Sequence, residues 1–371
     1  MNALVCTACS NNYPLDTPVW RCECGALLDI EFEADIPIDS IRTRPPSMWR
    51  YREAIPLGRD DAIVTLGEGF TPLTEMEMHG RRVFVKHDYL FPTGSYKDRG
   101  ASVLVSKARE LGIKSIVEDS SGNAGAAIAA YAAHAGIACE IFVPESVADG
   151  KIAQIRSCGA VVRKIPGSRE DTARAALDAA EGRYYAGHAW NPFFFQGTKT
   201  VAFELCEQLG WRAPDTVVVP VGNGTLLLGV FYGFRDLKKA GIFADIPKLI
   251  GVQATLCAPL FHAFRDEPFD ETGPNGHQTM AEGIAIREPV RGRAIVDAVK
   301  ESGGHFVAVE EFEITVALKD MARRGLFIEP TAAAGVAGLC KYLLAAVKDE
   351  TVVTVLTGHG LKAAEKIAAL L

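Results

Sequence analysis

Four short segments carry the side chains able to do chemistry. The first, Pro92-Thr93-Gly94-Ser95-Tyr96-Lys97-Asp98-Arg99-Gly100, sets an amine beside an aromatic ring, an acid and a guanidinium. Alone it reads equally well as the salt-bridged start of a helix. The second, Ser120-Ser121-Gly122-Asn123-Ala124-Gly125, follows Glu118 and Asp119. Its N–H groups and hydroxyls, at the positive end of the helix that follows, suit a carboxylate. An ordinary capped helix start is the alternative, Ser and Asn being favoured caps. The third is Val221-Gly222-Asn223-Gly224-Thr225. Its small residues let successive N–H groups converge on a phosphate without a lysine or arginine. The dinucleotide fingerprint is absent, because Leu227 stands where its third glycine would be. The fourth, Leu356-Thr357-Gly358-His359-Gly360, offers a neutral hydroxyl after a strand, which by itself reads as a helix cap.

The elements that must hold these segments alternate in type. Strands are expected at 115–117, 139–143, 160–165, 216–220, 249–252, 306–309 and 352–356. Ala-rich or amphipathic helices are expected at 124–135, 150–158, 199–209 and from Leu226, with one more opened by a capping box of Ser168 and Asp171. Strands alternating with helices predict an α/β fold with parallel sheets covered on both faces, and turns after strand ends are where such sheets place ligands. Residues 35–59, rich in Pro and Arg, read as an extended linker.

Ahead of that linker lie Cys6-x2-Cys9 and Cys22-x-Cys24. Four thiolates in two close pairs can close a tetrahedral zinc site, replacing the core that so short a segment cannot build. Four sulfur ligands leave no open position, so such a metal is structural. The second pair is one residue tighter than usual, which leaves a decayed site or a disulfide as the alternative.

Of 371 residues, 48% are hydrophobic and 23% charged, enough for a sizeable core. A net charge of −7 argues against nucleic acid or an anionic membrane surface, and favours a small soluble substrate. The longest apolar stretches are broken by Pro220, Asn223, His134 and Glu140, so none reads as a membrane span. The first residues lack a signal-peptide pattern, and single scattered cysteines beyond the first four suit a reducing, cytoplasmic compartment.

In order and wording, the four segments resemble fold-type II pyridoxal-phosphate enzymes, and most closely their threonine synthase branch. The resemblance covers nearly the whole chain. It implies two doubly wound parallel-sheet domains with an N-terminal zinc-ribbon-like knuckle: residues 1–34 as the knuckle, 35–98 with 201–371 as the large cofactor-binding domain, and 99–200 as a small substrate-closing domain. It implies Lys97 as the Schiff-base lysine, with Tyr96 where Phe is commoner. Ser120, Ser121, Gly122 and Asn123 resemble the family's substrate-carboxylate loop, in which the Asn also meets the cofactor's ring hydroxyl. Gly222, Asn223, Gly224 and Thr225 resemble its phosphate cup, and Thr357 the hydroxyl facing the pyridine nitrogen. The knuckle of Cys6, Cys9, Cys22 and Cys24 is similar to one found in part of this branch, and relatives are commonly homodimers.

The implied chemistry is consistent with these residues. An amine such as Lys97 can attach the cofactor and, once released, serve as base for the substrate α-proton. A neutral hydroxyl opposite the ring nitrogen makes a milder electron sink, favouring elimination and replacement over transamination. The implied function is a lyase of amino-acid biosynthesis, converting O-phosphohomoserine to threonine and phosphate.

The chain departs from the family at one telling place. Where the family reads approximately N-P-x-R-x-E-G-Q-K-T, this chain has Phe194 at the arginine position and Gln196 at the glutamate position. A phenyl ring in place of a guanidinium removes a bidentate phosphate ligand. Phe91 likewise stands where Asn is usual. Lys199, Arg99 and Lys151 are candidate replacements, each more commonly a surface charge. Two further readings follow: β-elimination or β-replacement on serine, threonine or O-phosphoserine, and a non-catalytic sensor that binds the cofactor and docks a macromolecule through its knuckle. Glu282 and Glu329 resemble site-lining positions and otherwise read as loop caps.

Overall fold

A computed structural model describes residues 2–269 and 279–370, with Lys151 described by its backbone alone. The chain divides into two compact units: residues 1–69 with 97–200, and residues 70–96 with 201–371. It crosses between them at Gly69–Phe70, Tyr96–Lys97 and Thr200–Val201.

The first unit holds two sheets. The strands Asn12–Pro14, Ala3–Cys6 and Leu28–Glu31 form an antiparallel sheet in that order. The strands Val161–Ile165, Ala138–Pro144, Ser115–Glu118 and Tyr184–Tyr185 form a wholly parallel one. Ile141, Val143 and Ile116 are buried in a core shared with the helix Asn123–Ala135, whose run of alanines lets the helix lie close. The helices Lys97–Glu110 and Pro192–Thr198 approach still more closely. A Cβ on Gly197 would lie 1.9 Å from the Arg99 carbonyl oxygen, and one on Gly100 would lie 2.3 Å from the Phe194 ring. Only hydrogen at both positions permits this contact.

The second unit is built on six strands in the order His305–Val309, Lys248–Ala254, Thr216–Pro220, Val352–Val355, Arg81–Lys86 and Leu73–Met78. The first five run parallel. The last pairs antiparallel with its neighbour, so the expectation of purely parallel sheets is corrected at this edge. A hairpin between Met78 and Arg81 makes the pairing local, and its alternating polar residues gave no helix–strand rhythm to read.

The expectation for the segment ahead of the globular part also changes. Residues 35–59 are not an extended linker: the helix Ile38–Thr43 and the 3-10 turn Met48–Ala54 bury Met48, Tyr51 and Arg50. Arg44 grips Glu53 with two hydrogen bonds of 2.6 and 2.5 Å, and Arg50 Nη2 donates to the Ile41 carbonyl at 2.7 Å. The arginines that suggested solvent exposure are here the means of folding the segment back. Residues 35–69 accordingly lie in the first unit, with 97–200, and not with 201–371. The expected helix 199–209 is present as Thr200–Gln208, and a further helix that was not expected, Pro192–Thr198, precedes it. This further helix opens on Asn191, whose side chain accepts from the Phe193 N–H, with Pro192 in the first turn.

Among the described residues no helix is long and apolar enough to cross a membrane.

Candidate active site

Within the second unit, parallel neighbours bring two turns side by side. The strand Thr216–Pro220 runs into the Gly222–Thr225 turn, and its partner Val352–Val355 into Leu356–Gly360. Gly224 has φ +72°, and as N-cap of the helix Thr225–Lys239 it turns the chain so that the helix begins at Thr225. A Cβ on Gly222 would lie 2.9 Å from the Gly283 carbonyl oxygen, so the loop holding Glu282–Ile284 backs this turn directly.

The segment leading to Lys97 is tied to both turns. Ser95 bridges Gly358, and the Tyr96 N–H donates to the Thr357 carbonyl at 3.0 Å. The Tyr96 hydroxyl meets Thr225 Oγ1 at 2.8 Å. The residue before the lysine is thereby fixed on the glycine turn. Two hydroxyls here, Ser95 Oγ and Thr357 Oγ1, are buried with no hydrogen-bond partner among the described residues. Leaving a buried hydroxyl unsatisfied costs about 1–3 kcal/mol, and a bound molecule with a complementary polar atom would relieve it. Glu329, also buried, occupies the space against Gly358. Its N–H donates to the Gly358 carbonyl at 2.9 Å. Glu282 instead faces outward and pairs with Lys366.

In the first unit, Lys97 opens the helix Lys97–Glu110, and its Nζ lies 5.5 Å from the centre of the Phe194 ring. The Ser120 turn follows the strand Ser115–Glu118. Gly122 is the N-cap of the helix Asn123–Ala135. The Gly122 N–H donates to Ser120 Oγ at 3.2 Å. Gly125 is required because a Cβ there would lie 1.8 Å from the Ser120 carbonyl oxygen.

Phe194 is completely buried. The two cations expected at the surface are not there: Arg99 is fully buried, its Nη1 donating to Thr200 Oγ1 at 3.0 Å, and Lys199 is buried with its ammonium 5.7 Å from the Phe32 ring centre. The side chain of Lys151 lies outside the described residues. The unread partners in this region are Glu118 and His188, paired at 3.0 Å. No local pattern links residues 70 positions apart; an acid ending a buried strand was the available signal.

The cysteines Cys6, Cys9, Cys22 and Cys24 converge, all four sulfurs lying within 4.8 Å of one another. Cys6–Cys24 and Cys9–Cys22 are 3.5 and 3.6 Å apart, close to the ~3.8 Å edge of a tetrahedron with Zn–S bonds of about 2.3 Å. The Cys9 and Ala8 N–H groups donate to Cys6 Sγ and pull that thiol down to about 6.

A comparison with known families decides the class: the model described as "Pyridoxal-phosphate dependent enzyme" matches residues 64–358. The chain belongs to the pyridoxal-phosphate dependent enzymes. Within that family it is 39% identical over 376 residues to the threonine synthase of Methanocaldococcus jannaschii, covering 96% of this chain and 92% of the relative. It is 37% identical to the threonine synthase of Methanosarcina acetivorans, covering 98% and 92%. Among solved structures, the processed threonine deaminase isoform 2 of Solanum lycopersicum superposes with a TM-score of 0.71 at 21% identity, covering 96% of this chain and 95% of that one. Maize serine racemase gives 0.71 at 21% identity, covering 91% and 97%. At such identities the likeness speaks for the fold of this pyridoxal-phosphate enzyme.

Proposed function

We propose that this pyridoxal-phosphate enzyme is a threonine synthase-like lyase, with O-phosphohomoserine as substrate and threonine and phosphate as products. The observation that carries the reading is the near full-length identity of 37–39% to threonine synthases. The two buried, unpartnered hydroxyls beside the segment leading to Lys97 support it.

Pyridoxal phosphate supplies, when bound, an electron sink for a carbanion at the amino acid's α-carbon. Lys97 is the point of covalent attachment and, released as a free amine, the base that holds the α-proton at Nζ. Gly222, Asn223, Gly224 and Thr225 present N–H groups and a hydroxyl to the phosphate at the positive end of the helix Thr225–Lys239. The Thr357 hydroxyl serves the ring nitrogen, and being neutral leaves it largely unprotonated. Ser120, Ser121, Gly122 and Asn123 hold the substrate carboxylate, and Asn123 also meets the ring hydroxyl. The four-cysteine knuckle holds a structural zinc, and the active form is a cytoplasmic homodimer acting on a free amino acid, without nucleic acid or membrane.

One observation favours a second reading. Phe194, at the position of the family's arginine, is sealed in the core, and its neighbour His188, paired with the buried acid Glu118, is poor company for a phosphate dianion. β-Elimination or β-replacement on an unphosphorylated hydroxyamino acid suits this environment. Incubation of the purified enzyme with O-phosphohomoserine, O-phosphoserine, serine and threonine, assaying phosphate, ammonia, 2-oxo acid and threonine, separates the two. Equimolar phosphate and threonine from O-phosphohomoserine is the expected result. Phosphate release without threonine, or ammonia from serine alone, would overturn the synthase.

A further inference from the structure

Glu118 and His188 form a pair inside the first unit that the proposed reaction does not use. Glu118 ends the strand Ser115–Glu118, and its side chain has no accessible surface, while that of His188 keeps 11%. Glu118 Oε1 lies 3.0 Å from His188 Nδ1, and Oε2 has no partner among the described residues. The neighbouring Asp119 is served by two donors, Arg169 Nη2 at 2.7 Å and the Tyr185 hydroxyl at 2.8 Å. Of the two adjacent carboxyls, Asp119 is the one with two donors. Burial, then the charge of Asp119, hold the Glu118 carboxyl well above the usual carboxylate range. Burial, then the charges of Lys97 and Arg169, hold the His188 imidazole well below its usual value. Both shifts favour the uncharged forms, in which the Glu118 hydroxyl donates to Nδ1 and a proton rests on Nε2.

Lys97 and His188 both pack on the Phe194 ring. The Lys97 Nζ is 5.5 Å from the Phe194 ring centre, and the His188 ring centre is 5.8 Å from the same point, edge to face. The other titratable groups facing the pair are occupied. Arg169, at the start of the helix Arg169–Ala179, is engaged by Asp119. Burial keeps Tyr185, on its strand, protonated far above neutrality, and pushes the Cys139 thiol, on the strand Ala138–Pro144, up to about 12. Lys97 is the partner whose charge changes during turnover.

We infer that Glu118 is a proton-linked counter-charge for Lys97, keeping its proton while the lysine amine is neutral and surrendering it when that amine becomes an ammonium. The exchange balances: the Glu118 O–H bond breaks, His188 Nδ1 gains that proton and Nε2 releases its own, and Nζ gains one. The result is a carboxylate, an imidazole of the opposite tautomer and an ammonium, where three neutral groups stood before. In a medium of low dielectric opposite charges stabilise each other more strongly than in water. Glu118 and His188 are in this sense positioning residues, setting when Lys97 can hold a proton.

The inference rests on Lys97 being the reactive lysine, yet its test needs no cofactor, so the two fail separately. In full-length protein stripped of cofactor, the pH dependence of Lys97 acetylation, read by peptide mass spectrometry, gives the apparent pKa of the amine. Glu118→Gln is expected to lower it by about one unit, a tenfold change in ionisation constant. His188→Gln is expected to lower it in the same direction, and the double variant no further than Glu118→Gln. The cofactor absorbance of the holoenzyme, titrated with pH, should move in parallel. Superimposable amine titrations of wild type and Glu118→Gln would overturn the inference, as would additive shifts in the double variant. If Glu118→Gln does not fold, His188→Gln decides by the same measurement.

Discussion

Tyr96 shows how one atom distinguishes this chain at the residue scale. Where the family commonly has Phe, its hydroxyl meets Thr225 at 2.8 Å and fixes the residue ahead of Lys97 on the glycine turn. Tyr96→Phe deletes that bond and should cost about 1 kcal/mol, or roughly fivefold in cofactor affinity. Equilibrium titration of stripped protein with pyridoxal phosphate measures it, and unchanged affinity would contradict the role. Lysine, glycine turns and hydroxyl were all legible in the sequence, because each belongs to a short contiguous segment. Arg99 and Lys199 were not, since burial depends on what packs over them: Thr200 for one, Phe32 for the other. The Glu118–His188 pair escaped for the same reason, its members meeting only once the parallel sheet has formed.

At the scale of elements, local signals were the ones that could be read. The capping box of Ser168 and Asp171 opens the helix Arg169–Ala179, with both reciprocal bonds present. Ser168→Ala should cost about 1 kcal/mol locally, seen as faster hydrogen exchange at the start of that helix. Hydrogen bonds from the Ser168 N–H and hydroxyl hold the Asp171 carboxyl below its ordinary value. Its contribution is therefore complete above the unfolded carboxylate pKa and is lost as pH falls through the folded one. Protection of the amides of Arg169–Ala179 in wild type, corrected for the intrinsic pH dependence of exchange, should fall on acidification through that window and change little between neutral and mildly alkaline pH. Signals that depended on a partner misled: residues 35–59 carry Pro and Arg in the proportions of a linker, yet Glu53 and the Ile41 carbonyl fold them into place. Helix Pro192–Thr198 was hidden by three consecutive phenylalanines, whose burial on all sides erases any amphipathic period.

Over the whole molecule, the alternation of strands and helices made the α/β architecture legible, while the division into units was not. That division follows from which faces pack, and the chain passes from one unit to the other three times, at Gly69–Phe70, Tyr96–Lys97 and Thr200–Val201. The second crossing lies immediately ahead of the lysine. The small antiparallel sheet at the N-terminus has little core of its own, and its four sulfurs converge within 4.8 Å. One zinc per chain is expected by elemental analysis. Its removal by a strong chelator should raise hydrogen exchange across residues 3–31 by orders of magnitude and leave the sheet of the second unit protected. Metal-free protein with unaltered exchange there would refute a structural metal. The central claim remains that Lys97 carries the cofactor. Borohydride reduction of the holoenzyme followed by peptide mapping tests it most directly: the account predicts the reduced pyridoxyl group on Lys97 and none in Lys97→Ala, whereas a label on Lys86, Lys199 or any other lysine would contradict it.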